Sequence, residues 1–95
     1  MDTDTELVAV TGCVRGRVQG VGYRYSMQRK ATALGVAGWV RNLADRSVAF
    51  HAEGSRNAIA ALLSWSESGP EFARVEEVNV EDCDVAQLDT FVILP

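Results

Sequence analysis

The sequence predicts an α+β fold in which two helices cover one face of a mixed, mainly antiparallel sheet. Short valine-rich stretches indicate strands, and two longer stretches carry apolar residues at helical spacing. Along the chain these segments follow the order strand, helix, strand, strand, helix, strand, and a short strand is added near the C-terminus. This is the order of a ferredoxin-like split βαβ sandwich. A chain of 95 residues makes one domain over 1–95, in which the acidic and polar residues 1–5 are expected to be a loose tail.

The first predicted strand and helix occupy the start of the chain. Glu6 to Arg15 is apolar and β-branched, as expected of a well-buried strand. From Tyr23 to Leu34 apolar residues recur at intervals of four, four and three, which predicts a helix with one buried stripe. Gly35 stands where a glycine commonly ends a helix. The stripe consists of Tyr23, Met27, Ala31 and Leu34.

A hairpin and a second helix are predicted next. Val36 to Leu43 and Val48 to Ala52 have strand character, and "ADRS" at 44–47 separates them as a turn. Ser55 is suited to be the N-cap of a helix, and "SGP" at 68–70 is suited to stop it. The apolar stripe of this helix is Ala58, Ile59, Leu62 and Leu63, with Trp65 at its end.

Two further strands complete the prediction. In "ARVEEVNVED" at 73–82, Val75, Val78 and Val80 alternate imperfectly with acidic residues. "FVIL" at 91–94 forms the short last strand.

The charges of the chain are segregated. The net charge is −4, yet Leu7 to Ala44 contains no Asp or Glu and six of the nine basic residues. An acidic protein with one acid-free basic segment favours a local anion site over a general polyanion surface, although a solvated basic face remains the simpler alternative. The six basic residues are Arg15, Arg17, Arg24, Arg29, Lys30 and Arg41.

The cysteine, histidine and apolar content narrows the class of protein. Cys13 and Cys83 are expected to be reduced, which favours a cytoplasmic protein, and Cys13 is expected to be a buried thiol. With the single histidine His51 and no Cys-x-x-Cys pair, no metal site is predicted. No apolar run is long enough for a membrane span, and the N-terminal "MDTDTE" is unlike a signal peptide. We therefore expect a metal-free protein with no membrane association.

The stretch "GRVQGVGYR" at 16–24 is the strongest candidate site. Its glycines allow successive backbone N–H groups to point inward, and the loop runs into a helix N-terminus, where free N–H groups favour an anion. Arg24 falls in the first turn and is able to grip two phosphate oxygens. The stretch matches neither a Walker A loop nor a dinucleotide fingerprint. Composition alone leaves a glycine-rich turn without a ligand as an equal alternative.

Together with "GWVRN" at 38–42, "AEG" at 52–54 and "ARVEEV" at 73–78, this loop resembles the acylphosphatase family over nearly the whole chain. The resemblance implies hydrolysis of the carboxyl–phosphate bond of acyl phosphates to a carboxylate and inorganic phosphate. It implies that the 16–22 loop and Arg24 hold the phosphate and that Asn42 orients the attacking water, with no metal, cofactor or covalent intermediate. The implied phosphate-binding residues are Val18, Gln19, Gly20, Val21, Gly22, Tyr23 and Arg24.

Two other functions remain as alternatives. A non-catalytic sensor of small anions or acyl phosphates would keep the loop and Arg24 without needing Asn42, which by itself is often only a turn residue. An RNA-binding module is disfavoured because the first strand has no aromatic residue and the third has only Phe50. We expect a monomer that binds no nucleic acid and recognises little beyond the phosphate.

Several further residues carry no assigned role. Arg17 either adds positive charge at the loop or is a surface residue, and Trp39 and Trp65 are expected to be packing residues. His51 is expected to face outward or to lie at a sheet edge. Asp45 and Glu53 would be conceivable as an acid–base pair, but their spacing does not require one.

Overall fold

The structure is a computed structural model that describes residues 6–95, so the predicted tail at residues 1–5 lies outside the described residues. One five-stranded sheet carries two helices. The elements are β1 (Leu7–Arg17), α1 (Tyr23–Leu34), β2 (Ala37–Asn42), β3 (Val48–Ser55), α2 (Arg56–Ser66), β4 (Arg74–Cys83) and β5 (Phe91–Ile93). Neither helix is long and apolar enough to cross a membrane.

The strands lie in the order β4-β1-β3-β2-β5. All neighbouring pairs are antiparallel except β2 and β5, which are parallel. Both helices pack on the same face, α1 against β2 and β5 and α2 against β1 and β3, and they also contact each other. The predicted ferredoxin-like split βαβ sandwich is therefore confirmed.

The ends of both helices follow from local sequence. Gly35 adopts the left-handed conformation with φ 74° and ends α1, which is the C-terminal cap that glycine favours. In α2 the hydroxyl oxygen of Ser55 accepts a hydrogen bond from the Ala58 N–H at 3.1 Å. This satisfies one of the N–H groups that the first turn of a helix leaves free.

The core lies between the helices and the sheet. Val14 and Phe50 project from β1 and β3 toward the helices and have no exposed surface, and Met27 of α1 and Leu62 of α2 are equally buried. Removing the side chain of such a residue typically costs about 2–5 kcal/mol. The core therefore fixes the position of α1 relative to β2, the two elements that carry Arg24 and Asn42.

The imperfect alternation in β4 has a structural cause. Opposite β4, Arg15 of β1 pairs with Glu77, but the next residue, Gly16, pairs with Val75. This bulge skips one residue of β4 and reverses the phase of its side chains. Val78 packs beside Val14, whereas Val80 at the outer edge is 37% exposed.

The sheet face away from the helices is here called the open face. Two predictions about the burial of residues on this face were wrong. Cys13, expected to be buried, points to this face and is only partly buried, because it alternates with Gly12 and Val14, which face the helices. His51, expected to be at an exposed position, lies on the open face but is only 8% exposed. Its ring stacks on Trp39 with centroids 6.2 Å apart, and its Nδ1 lies 3.6 Å from the Cys83 sulfur.

Glu53 ties the segment 84–90 to the open face. Its carboxylate accepts a hydrogen bond from His51 Nε2 at 2.7 Å, one from the Leu88 N–H at 3.0 Å and one from the Ala86 N–H. Burial would raise the pKa of Glu53, but these three donors outweigh it and hold the pKa below its usual range. The segment that joins β4 to β5 is thereby anchored by one buried carboxylate.

We predict that the hydrogen-bonded carboxylate of Glu53 makes a pH-dependent contribution to stability. Because the folded-state pKa of Glu53 is lowered, its contribution is fully present above the unfolded-state pKa of about 4.3 and is lost as the pH falls through the folded value. We expect Glu53→Gln to lower the free energy of unfolding by about 1–3 kcal/mol at pH 7. The gap to the wild type should begin to shrink as the pH falls below the unfolded-state pKa, and it should close only below the lower folded-state pKa, where the wild-type carboxyl is protonated as well.

Urea denaturation at pH 7 and pH 3.5 measures both effects. Glu81→Gln, at an exposed position of β4 on the same face, is the matched control and should change stability little. A gap for Glu53→Gln that is the same at both pH values would contradict the assigned role of the ionised carboxylate.

Candidate active site

The loop between β1 and α1 depends on two glycines. Gly20 and Gly22 have φ values of 75° and 80°, in the left-handed region that side chains with a Cβ rarely adopt. A Cβ placed on either glycine would meet nothing within 4 Å. The backbone conformation, and not a lack of space, therefore requires glycine at these two positions.

The N-terminus of α1 has no cap of its own. Gly22 occupies the N-cap position without a side chain to accept a hydrogen bond, and the first turn contains no acidic residue. Among residues 6–95, no turn or loop hydrogen bond is donated by the amide N–H of Gly20, Gly22 or Arg24. These donors and the positive end of the helix dipole are available to an anion, in contrast to α2, which Ser55 caps.

Two side chains of the loop point away from this helix end and hold it in place. Gln19 Nε2 donates to the carbonyl oxygens of Leu43 and Ser47, both at 2.9 Å, and so ties the loop to the β2–β3 turn. The Tyr23 hydroxyl donates to the Ser66 carbonyl at 2.8 Å, and its burial raises the pKa of the phenol. The loop is thus connected to β2 on one side and to α2 on the other.

The free helix end opens into a cavity of about 170 Å³. Arg24 lines this cavity, and among residues 6–95 no carboxylate lies within 4 Å of its guanidinium. Asn42, the last residue of β2, lines it as well, and its amide oxygen Oδ1 is buried without a hydrogen-bond partner. A buried acceptor without a partner costs free energy and requires an explanation. The complete lining is Val18, Gly20, Gly22, Tyr23, Arg24, Tyr25, Asn42 and Ile93.

The structure brings most of the predicted site residues together and separates two of them from the cavity. Gln19 acts through its side chain as a tie to the β2–β3 turn, and Val21 is half-buried against the core. Two residues that line the cavity were not predicted from the sequence. Tyr25 directly follows Arg24, so its position near the site could have been predicted from the sequence. Ile93 reaches the cavity only because β5 pairs with β2.

The other candidate groups lie elsewhere. Asp45 binds Ser47 within the β2–β3 turn, and this hydrogen bonding lowers the pKa of Asp45 to about 2. Glu53 lies near the far end of β3, so the two carboxylates do not form a pair. Arg17 lines a second, open cavity of about 440 Å³ on the loop, together with Arg46. No group of three His, Cys, Asp or Glu side chains suited to a metal ion occurs among residues 6–95.

The fold and this cavity define a small α+β domain in which an uncapped helix N-terminus opens into a small cavity. The family model described as Acylphosphatase matches residues 10–93. An acylphosphatase of a Nocardioides species is 54% identical over 74 residues, which cover 78% of this chain and 75% of that protein. One from Acaryochloris marina is 42% identical and covers 93% of this chain and 95% of its own length.

A solved structure agrees with these sequence matches. The acylphosphatase from Coxiella burnetii superposes with a TM-score of 0.90 at 36% identity, covering 93% of each chain. The chain therefore belongs to the acylphosphatase family and is a hydrolase that acts on acyl phosphates.

The position of Gln19 leads to a prediction about loop order. We expect Gln19→Ala to lower the free energy of unfolding by about 1–3 kcal/mol, because the two hydrogen bonds that tie the loop to the β2–β3 turn are lost, although each carbonyl keeps a backbone donor. We also expect inorganic phosphate to raise the unfolding midpoint of the variant less than that of the wild type, because a loosened loop binds the anion more weakly. Thermal unfolding with and without phosphate measures both quantities.

Gln28→Ala is the matched control. Gln28 Nε2 donates to the Phe91 carbonyl at 3.1 Å, away from the loop. This variant should be destabilised but should keep the full phosphate-dependent shift. An equal shift in all three proteins would contradict a role of Gln19 in ordering the anion site.

Proposed function

We propose that the 16–22 loop and Arg24 hold the phosphoryl group of an acyl phosphate while Asn42 orients the water that attacks phosphorus. One observation carries this proposal: an uncapped helix end, an unpaired guanidinium and an unpaired amide oxygen face one small cavity. The first two supply positive charge for an anion, and the third offers an acceptor to a water hydrogen.

In this proposal the phosphoryl group is bound by positive charge and by hydrogen-bond donors of fixed orientation. Backbone N–H groups at the start of α1 and the planar fork of Arg24 point several donors at its oxygens, and they remain in place as charge shifts during the reaction. Because Arg24 has no carboxylate partner among the described residues, its charge is not already neutralised by the protein. Val18, Gly20, Gly22 and Tyr23 complete the predicted phosphate-binding set in the cavity lining.

The chemical step is an in-line displacement. Water oxygen forms a bond to phosphorus, the bond between phosphorus and the acyl oxygen breaks, and the carboxylate leaves with the electron pair. The water gives its proton to a phosphate or carboxylate oxygen of the substrate. An acyl phosphate is already activated, so positioning of the water by the neutral amide of Asn42 suffices and no protein base is required. We propose that the reaction needs neither a metal ion nor a cofactor, because Arg24 and the N–H groups supply the positive charge.

The proposed binding partners of the protein are inferred from the size of this site and from the charge of the chain. A cavity of about 170 Å³ fits a small molecule, and the net charge of −4 disfavours nucleic acid. The acidic residues along the edge strand β4 disfavour pairing with a second copy, which supports a monomer. Both cysteines are free thiols, which fits the proposed cytoplasmic location.

Two substitutions separate the proposed roles. We expect Asn42→Ala to lower kcat by about a hundredfold, equal to roughly 3 kcal/mol, with KM little changed, because Asn42 contacts the water and not the substrate. Arg24→Ala should lower kcat and raise KM, and Arg24→Lys should recover only part of the loss because the fork is missing. Hydrolysis of benzoyl phosphate in EDTA measures these constants.

Asn79→Ala is the control, since Asn79 is an exposed residue of the edge strand β4. Small and equal effects of Asn42→Ala and Arg24→Ala would contradict the assigned roles. Saturable phosphate binding without turnover in the wild type would instead identify a sensor.

The cavity lining also predicts the pH profile. None of its residues is a His, Cys, Asp or Glu, and the phenol of Tyr23 has a raised pKa. We therefore expect kcat to be independent of pH between about pH 6 and 8, without the limb that a protein base would give. A limb near pH 6.5 that disappears in His51→Gln would indicate histidine chemistry instead.

A further inference from the structure

We infer that Tyr25 is a specificity-determining residue that contacts the acyl group, so that the enzyme favours acyl phosphates with an aromatic acyl group over acetyl phosphate. This inference rests on the proposed function and deepens it, since it concerns the half of the substrate that the phosphate site does not hold. It also replaces the expectation that little beyond the phosphate is recognised.

Tyr25 is placed at the cavity without being part of the core. It lies in the first turn of α1, next to Arg24, and it lines the cavity while 59% of its surface is exposed. Scattered exposed apolar side chains are common and need no explanation. An aromatic ring at the mouth of a catalytic cavity differs from these, because a bound substrate is able to cover it.

The cavity is lined by both polar and apolar groups. Its polar groups are the loop backbone, Arg24 and Asn42, whereas Tyr25 from α1 and Ile93 from β5 are its partly accessible apolar groups. A phosphoryl group held by the polar groups leaves the acyl group to contact the apolar groups, of which Tyr25 is the most exposed. An aromatic acyl group gains from stacking on a tyrosine ring, and an acetyl group offers no ring to stack.

The reaction geometry agrees with this placement. In an in-line displacement the leaving carboxylate departs from the side of phosphorus opposite the attacking water. Asn42, which orients the water, belongs to the β2 wall, and Tyr25 belongs to the α1 wall. An acyl group that departs away from Asn42 therefore leaves toward α1, which carries the exposed ring of Tyr25.

Arg29 restricts the orientation of the Tyr25 ring. It lies one helical turn after Tyr25, and its guanidinium carbon is 5.7 Å from the ring centroid. A cation at this distance attracts the face of an aromatic ring. The tyrosine thus offers an oriented surface at a lower entropic cost than a freely rotating side chain would.

The test compares kcat/KM for benzoyl phosphate and acetyl phosphate. We expect Tyr25→Ala to reduce the benzoyl-to-acetyl ratio of kcat/KM by about fivefold to twentyfold, mainly through KM, because the contact exists before the chemical step. Tyr25→Phe keeps the ring and should retain the wild-type ratio. Phe72→Ala, which removes another exposed aromatic side chain outside the cavity lining, should leave both kcat/KM values unchanged.

The outcomes separate this inference from the proposed function. If the wild type hydrolyses both substrates and Tyr25→Ala leaves their ratio unchanged, the proposed function stands and the role of Tyr25 is overturned. A ratio lost equally in Tyr25→Phe would also overturn it, since the hydroxyl and not the ring would then be responsible. If the wild type hydrolyses neither substrate, the proposed function fails and the inference falls with it.

Discussion

The loop between β1 and α1 is anchored by side chains that point into the protein. Its backbone N–H groups are therefore not needed for anchoring. Gln19 donates to the β2–β3 turn, and Tyr23 packs beside Trp65 with ring centroids 5.3 Å apart while its hydroxyl reaches Ser66. Between these two anchors, the left-handed glycines Gly20 and Gly22 shape the backbone that lines the cavity. An anion site built from backbone donors needs this rigidity, because a flexible loop would lose conformational entropy on each binding event.

The charge distribution fits the proposal that the same site binds phosphate in an acidic protein. No Asp or Glu occurs between Leu7 and Ala44, so neither β1, α1 nor β2 places a carboxylate beside the loop. Four of the thirteen acidic residues lie instead on β4, at the other edge of the sheet from β5. A helix that starts without an acidic residue or a capping side chain loses a few tenths of a kcal/mol to about 2 kcal/mol of local stability. A bound anion restores this stability.

The sequence predicted the order of the elements because each carries its own local signal, such as the spacing of apolar residues in α1 or the cap at Ser55. It also predicted that Arg24 and Asn42 belong to one site, but from the resemblance to a family and not from spacing. Contacts that arise only from tertiary structure could not be predicted in this way. Ile93 reaches the cavity through parallel pairing of two strands that are far apart in sequence, and His51 is buried because the segment 84–90 crosses a face that alternation alone predicts to be exposed.

The buried acid on the open face is connected to the site through this crossing segment. Glu53 holds the backbone of residues 86 and 88, after which the Thr90 carbonyl accepts a hydrogen bond from the Gly38 N–H at 2.9 Å and β5 pairs with β2. This pairing places Ile93 beside Val40, two residues before Asn42 on the same face of β2. Glu53 and the cavity wall are therefore joined by one continuous hydrogen-bonded segment. The anchoring by Glu53 consequently restricts where Ile93 lies relative to Asn42, the residue that we propose orients the water.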